Sequence, residues 1–255
     1  DVPTPDSGTG GSGKGNILWE FTEADNADMG FVLAYPHIVR MADGNWAALF
    51  GNGYDSQNGK AKLFIIKLAD GKVLREFELD AGPDNGLGQP NFVLNSTREV
   101  MAIYAGDLKG NLWKVDVSSN DATQWKVAFG GKPLITAVSA SGDVQPITAM
   151  PEITAHPTSG AVITFGTGKM FEASDTALTS PPNVNLKRQS IYGVWDDFDG
   201  AFTSTKNEVA ITAATRSMVL VEQTVSAAVS GATFTSTSAN TVDWATKRGW
   251  YLDLD

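Results

Sequence analysis

One spacing constrains this chain more than any single motif. Prolines that open short apolar stretches stand at Pro36, Pro90 and Pro151, separated by 54 and then 61 residues. Corners in which an aromatic residue runs into glycine, at Phe50, Tyr104 and Phe165, keep the same steps of 54 and 61. Two independent markers on one period indicate a repeated unit. A unit of about 50 residues built from short strands cannot bury its own apolar face and must stack on its neighbours, which is the pattern of propeller blades. An ordinary sandwich with coincidental spacing is the alternative.

The middle unit is the clearest. Residues 103–116 read as two strands around a tight turn, with Gly106 and Gly110 expected at φ > 0. Strands are predicted at 36–40, 46–50, 62–68 and 72–78 in the first unit, with Asp43-Gly44 and Asp70-Gly71 as turns. The second unit reads 91–94, 99–104, 111–117 and 124–129; the third reads 152–155, 160–165 and 190–196. A polar insertion at 171–188, with Pro181-Pro182, interrupts the third unit and predicts a surface excursion of the kind that carries binding. Beyond Asp199-Gly200 the repeat weakens: 218–224 and 249–254 remain strand-like, whereas 226–241 is rich in Ser, Thr, Ala and Gly. Residues 16–21 resemble 74–77 and 125–129, so all three are expected to be outer strands. The final strand, Trp250-Tyr251-Leu252, is expected to lack an outer partner, as though more chain belonged beyond it. Residues 1–14, Gly/Ser-rich with Pro3 and Pro5, read as a linker or loop, and 15–255 as the propeller domain.

Composition then removes whole classes of function. With 29 acidic against 19 basic residues the net charge is -10, and that field repels a phosphate backbone, so nucleic acid is not a partner this sequence favours. The absence of cysteine removes disulfides, thiolate catalysis and thiolate metal sites. The sequence carries no apolar run long enough to span a membrane and no basic-then-apolar leader, and it reads as a mature form or an internal piece.

Candidate chemistry is sparse. Asp196, Asp197 and Asp199 form the densest acidic cluster and are the metal candidates; without the spaced ligands of a calcium loop they read more readily as a solvated turn. The run 23–28 is a weaker version of the same thing. His37 and His156, each beside a proline, read as structural, because no further ligands converge on them in sequence. Gly166-Thr167-Gly168-Lys169 lacks the spacing and the following helix of a phosphate loop. Trp19, Trp113 and Trp125 fall at repeat positions and are expected to pack blade against blade.

Several longer motifs occur in a telling order: Gly51-Asn52-Gly53-Tyr54, Asn85-Gly86-Leu87 with Pro90, Tyr104 through Trp113, Gly131-Lys132-Pro133-Leu134, Phe165 through Lys169, and Gly249 through Leu254. Together they resemble the propeller domain of PilY/PilC-type proteins, the type IV pilus assembly and tip-associated adhesins. The resemblance implies an all-β, quinoprotein-like modified propeller, here a partial ring of about four blades from a larger one. It implies export to the cell surface, and pilus subunits (minor pilins) and a surface or host receptor as partners. The implied role is non-enzymatic, supporting pilus extension, adhesion and twitching motility. The blade faces near Trp19 and Trp250 are then expected to be covered by the rest of the chain or by a partner subunit. Several relatives carry an acidic calcium loop where this chain reads Leu94-Asn95-Ser96-Thr97-Arg98-Glu99, so no calcium or other cofactor is expected. A pyrroloquinoline-quinone dehydrogenase propeller and a glycan-binding lectin propeller are the rival readings.

Overall fold

The computed structural model describes residues 18–171, 175, 187–198, 211, 214–226 and 236–254. The linker at 1–14, most of the insertion, Asp199 and much of the stretch after it lie outside those residues.

The first unit builds a four-stranded antiparallel blade: β1 (His37–Met41), β2 (Trp46–Gly51), β3 (Ala61–Lys67) and β4 (Val73–Asp80). The two Asp-Gly pairs make the turns as expected, with Gly44 at φ 87° and Gly71 at φ 69°. The second unit is β5 (Asn91–Leu94), β6 (Glu99–Gly106), β7 (Asn111–Asp116) and β8 (Lys126–Val127), with β9 (Ile135–Thr136) also on β7. A short parallel pairing of β1 with β6, Arg40 opposite Glu99 and Met41 opposite Val100, joins these two blades into one nine-stranded sheet. The third unit supplies β10 (Glu152–Ala155), β11 (Ala161–Gly166) and β12 (Ser190–Asp196). They continue into β16 (Gly249–Asp253) and β13 (Val221–Gln223), while β14 (Val225–Ser226) and β15 (Ser236–Thr237) form a separate ribbon.

Alternation along β6 and β7 explains the stacking, because both faces of the second blade are buried. Ile103, Ala105, Trp113 and Val115 face the first blade in one apolar cluster, and Ala102, Tyr104 and Leu112 face the third in another. Trp113 and Trp125 are both in the first cluster, as their repeat positions predict.

Four local expectations change. Residues 18–21 form no strand; the Trp19 indole donates to the Leu68 carbonyl at 2.8 Å and Phe21 packs edge-on to Phe50 and Phe64. Side-chain burial holds this segment instead of a ladder. At 124–129 only Lys126–Val127 is a strand, because left-handed backbone at Phe129 and Gly130 (φ 53° and 65°) turns the chain toward β9. At 218–224 a helical turn, Arg216–Val219, precedes β13, drawing the Arg216 guanidinium inward onto Asp253 and over the Tyr251 ring. β16 lies between β12 and β13, so it has a partner on both sides and these late strands complete the third sheet. Trp19 and Trp250 are accordingly half-buried against Gly71 and Gly193, whose missing Cβ atoms make the room.

Gly106 also differs from expectation in its cause. It is extended, and only Gly110 of the pair takes positive φ, at 79°. A Cβ on Gly106 would lie 2.2 Å from Ile147 Cγ2, and one on Gly51 would lie 2.2 Å from the Gly88 carbonyl oxygen. Glycine is needed because the chain that leads into the next blade passes directly against each corner.

Candidate functional site

The corners lie at one end of the blades, where the turn between the second and third strands meets the connector entering the next unit. The residue after each corner glycine clips its own turn. Asn52 Oδ1 accepts from the Lys62 amide at 2.9 Å, Asp107 Oδ1 from the Asn111 amide at 2.8 Å, and Thr167 Oγ1 from the Ser190 amide at 2.8 Å. A short side chain carrying an acceptor is required to reach back across a turn in this way.

The same side chains bind the connectors. Asn52 Oδ1 also accepts from the Leu87 amide at 3.0 Å, and Asn85 joins Leu108 of the second corner to Asp107, donating to its Oδ2 at 3.0 Å. Asp107 further accepts from the Asn111 amide side chain, the Trp113 indole and the Lys109 backbone, all at 2.8–2.9 Å. Burial still raises its pKa above the usual carboxylate range, because none of these donors is a cation. Burial, with Asp107 nearby, likewise pushes the Tyr54 phenol up to about 12, so it stays a donor. Between the second and third units Gln145 does the corresponding work, donating to the Arg188 carbonyl and Ser190 hydroxyl and accepting from Tyr192 at 2.5 Å. These links make the corner end a continuous, rigid platform under variable turns.

A second buried feature lies between the second and third blades. The cross-strand partners of the corner aromatics are Phe64, Lys114 and Tyr192, so a lysine stands in the second blade where its neighbours hold rings. Its face is covered, and Lys114 Nζ lies 2.6 Å from Asp196 Oδ2, to which the Tyr104 hydroxyl also donates at 2.7 Å. Phe198, Phe129 and Tyr104 present rings to the ammonium at 4.6, 5.5 and 5.8 Å. Burial pulls Lys114 below the ordinary lysine range, attraction from Asp196 notwithstanding, and it lowers Arg248 alongside to about 10. This group carries no free nucleophile or open face; it bonds two blades together.

Of the three acidic candidates, the structure therefore commits Asp196 to Lys114 and Tyr104 and places Asp197 next to it, half-buried, while Asp199 lies outside the described residues. No cluster of three metal-binding side chains occurs among the described residues. The loop at 94–99, where the resemblance places a calcium loop, is occupied by its own hydrogen bonds. Asn95 Oδ1 accepts from the Thr97 and Glu99 amides, and the Asn95 amide and the Thr97 hydroxyl both donate to Glu99 Oε2 at 3.0 and 2.8 Å. Arg40 lies 3.5 Å from the other Glu99 oxygen. One carboxylate, already solvated by donors and a cation, does not fit a hard cation that needs about six oxygens. His37 sits between the Tyr35 and Phe92 rings, and His156 stacks on Trp195 at 4.6 Å with its Nδ1 accepting from the Thr158 amide. Lys114 and the corner side chains were missed by composition; a lysine opposite a corner aromatic, inside a run of Leu, Trp and Val, is the signal that finds it.

Stacked units of four or five strands, linked through their corner ends and with the first two fused by a parallel strand pair, define a modified β-propeller with no catalytic constellation among the described residues. The family model described as the PilY1 beta-propeller domain matches residues 18–239. The type IV pilus biogenesis factor PilY1 of Pseudomonas aeruginosa PAO1 is 36% identical over 93% of this chain and 22% of its own length. A PilY1 homolog of Xylella fastidiosa Temecula1 is 34% identical over 94% of this chain and 16% of its own. The crystal structure of the P. aeruginosa PilY1 C-terminal domain superposes with a TM-score of 0.78 at 32% identity, covering 93% of this chain and 53% of that one. The chain belongs to the PilY1 β-propeller family, and it spans about a fifth of the length of the curated relatives it matches.

Proposed function

We propose that this propeller is part of an exported, pilus-associated surface factor that supports type IV pilus biogenesis, and through it adhesion and twitching motility, without catalysing a reaction. The observation that carries the reading is the match of residues 18–239 to the PilY1 propeller, together with relatives named as pilus biogenesis factors. The corner platform supports it physically: a rigid scaffold that displays unlike turns suits recognition of other proteins, here pilus subunits or a surface receptor, more than chemistry. Among the described residues no helix is long and apolar enough to cross a membrane.

The test is a chimera. This chain replaces the matching segment of the P. aeruginosa relative in a strain lacking its own copy, and sheared surface pili and twitching zones are measured. Restored pili are expected; an exported chimera that restores neither pili nor twitching refutes the reading. Reduction of an artificial electron acceptor by the purified chain with pyrroloquinoline quinone and calcium would overturn its non-enzymatic part.

A further inference from the structure

A cavity of about 660 Å³ opens at the corner end beside the first blade. Its apolar lining includes Phe31, 67% exposed, with Tyr54 and Phe171, whose rings lie 4.4 Å apart. Its polar wall carries Asp55, Gln57 and Asp84, which make no side-chain hydrogen bond or ion pair among the described residues. Ser56 lines the same cavity, is only 8% exposed, and has a hydroxyl with no partner among the described residues. Asp55 and Asp84 hold left-handed backbone, at φ 58° and 57°, so the wall is pre-shaped at some cost in strain. Three units contribute, since Lys169 and Phe171 reach in from the third.

The arrangement selects a ligand chemistry. A volume in the few-hundred Å³ range suits a small molecule of one or two rings. Exposed aromatic faces on one side and unspent acceptors, an amide and a hydroxyl on the other match a ligand with one apolar face and a rim of hydroxyls. Asp55 and Asp84 repel an anion, and Lys169, paired with Asp175 at 3.3 Å, brings no net positive charge to balance them, so the rival to a neutral ligand is a cation, which the test below includes. We propose that this cavity binds a neutral saccharide, one pyranose face stacked on Phe31 and Phe171 and its hydroxyls held by Asp55, Gln57 and Asp84. The second unit does not repeat it: the equivalent turn there is only Leu108-Lys109-Gly110, closed by a Gly110 to Asp107 bond of 3.1 Å. The proposal goes beyond the pilus reading and does not depend on it.

Saturation-transfer NMR on the whole 255-residue chain, with the methyl glycosides of glucose, galactose, mannose and N-acetylglucosamine as probes, tests it directly. At least one probe is expected to receive transfer and to titrate with a Kd of about a millimolar. Phe31→Ala and Asp84→Asn are each expected to weaken that binding about tenfold or more. Trp46→Ala, an exposed indole at the opposite end of β2, leaves it unchanged. Both site residues are exposed, so the variants keep the parent's melting curve; should Phe31→Ala not fold, Asp84→Asn decides. No transfer to any of the four probes, binding that survives both substitutions, or transfer to lysine amide in place of the sugars overturns the proposal. None of these outcomes touches the pilus assay.

Discussion

Lys62 meets Asp28 at 2.6 Å at the rim of the first blade, and Lys114 meets Asp196 at the same 2.6 Å between the second and third. At the rim both side chains are 8% exposed, Glu76 accepts from Lys62 at 3.2 Å, and the Asn58 amide donates to Asp28. Burial works against ionisation of each partner there, but the bonds outweigh it: Asp28 is held below its usual range and Lys62 above its own. At the seam the side chains are 0% and 1% exposed among aromatic rings, and burial wins, lowering Lys114. Equal contact distances thus report opposite balances. The cost of removing charge from water grows with burial faster than one partner can offset, unless further polar groups share the load.

Substitutions at these pairs sharpen the contrast, and the seam gives the largest effect. Asp196→Ala takes the carboxylate from beside a buried ammonium and is expected to destabilise by about 3–5 kcal/mol in denaturant titration. That loss should shrink as the pH rises, because Lys114, already lowered, sheds its proton and no longer needs the carboxylate. The triple variant Tyr104→Phe, Lys114→Met, Asp196→Leu places apolar groups where the first blade has its Phe50 and Phe64 pair, and is expected to recover most of the stability. A triple variant no better than Asp196→Ala would mean that the seam ions stabilise the fold outright.

The rim comes second. Asp28→Asn loses hydrogen bonds to a charged group and is expected to cost about 1.5–3 kcal/mol. Its pH signature has the sign of a depressed carboxylate: the contribution is present above the ordinary aspartate range and is lost as the pH falls through the lower, folded-state value. The parent chain should therefore lose more stability on acidification below about pH 4 than the variant does. Parallel acid titrations would show that Asp28 is not held as described.

Smallest is the exposed pair that bridges the joined blades, Arg40 with Glu99, at 45% and 19% side-chain exposure. Glu99→Gln is expected to change stability least of the three, because an exposed pair is screened by water and salt. Since donors and Arg40 already surround that carboxylate, millimolar Ca²⁺ should leave Tm where it is. Occupancy at a hundred times Kd would add about 2.7 kcal/mol, so a rise of several degrees that a chelator reverses would expose a site elsewhere in the chain.

Much of this was readable in the residues. The period from Pro36 to Pro151 placed three units, and ten of the strands in them lie within a residue or two of their predicted bounds, because alternation and Asp-Gly turns are local signals. What alternation could not show was which segment pairs with which. Residues 218–224 carry apolar residues that suit a strand, but Met218 and Val219 belong to the helical turn Arg216–Val219, whose Arg216 reaches Asp253. Residues 16–21 look like an outer strand, but their described part is held by where Trp19 and Phe21 can be buried. The turn pattern predicts a positive φ that Gly106 does not adopt; what requires glycine there, Ile147, lies 41 residues away in sequence.

The residues by themselves determined a stacked all-β repeat with a rigid glycine corner in every unit, since strand period and turn chemistry are properties of neighbouring residues. They also determined the family, through ordered motifs at those corners. Only the tertiary structure decided that Lys114 is a buried seam charge, that Asp196 pairs with it, and that Phe31, Asp55, Asp84 and Phe171 surround one cavity. Each of these depends on distances between blades, and such distances arise when the connectors at Leu87 and Ile147 cross the corners and bring distant segments into contact.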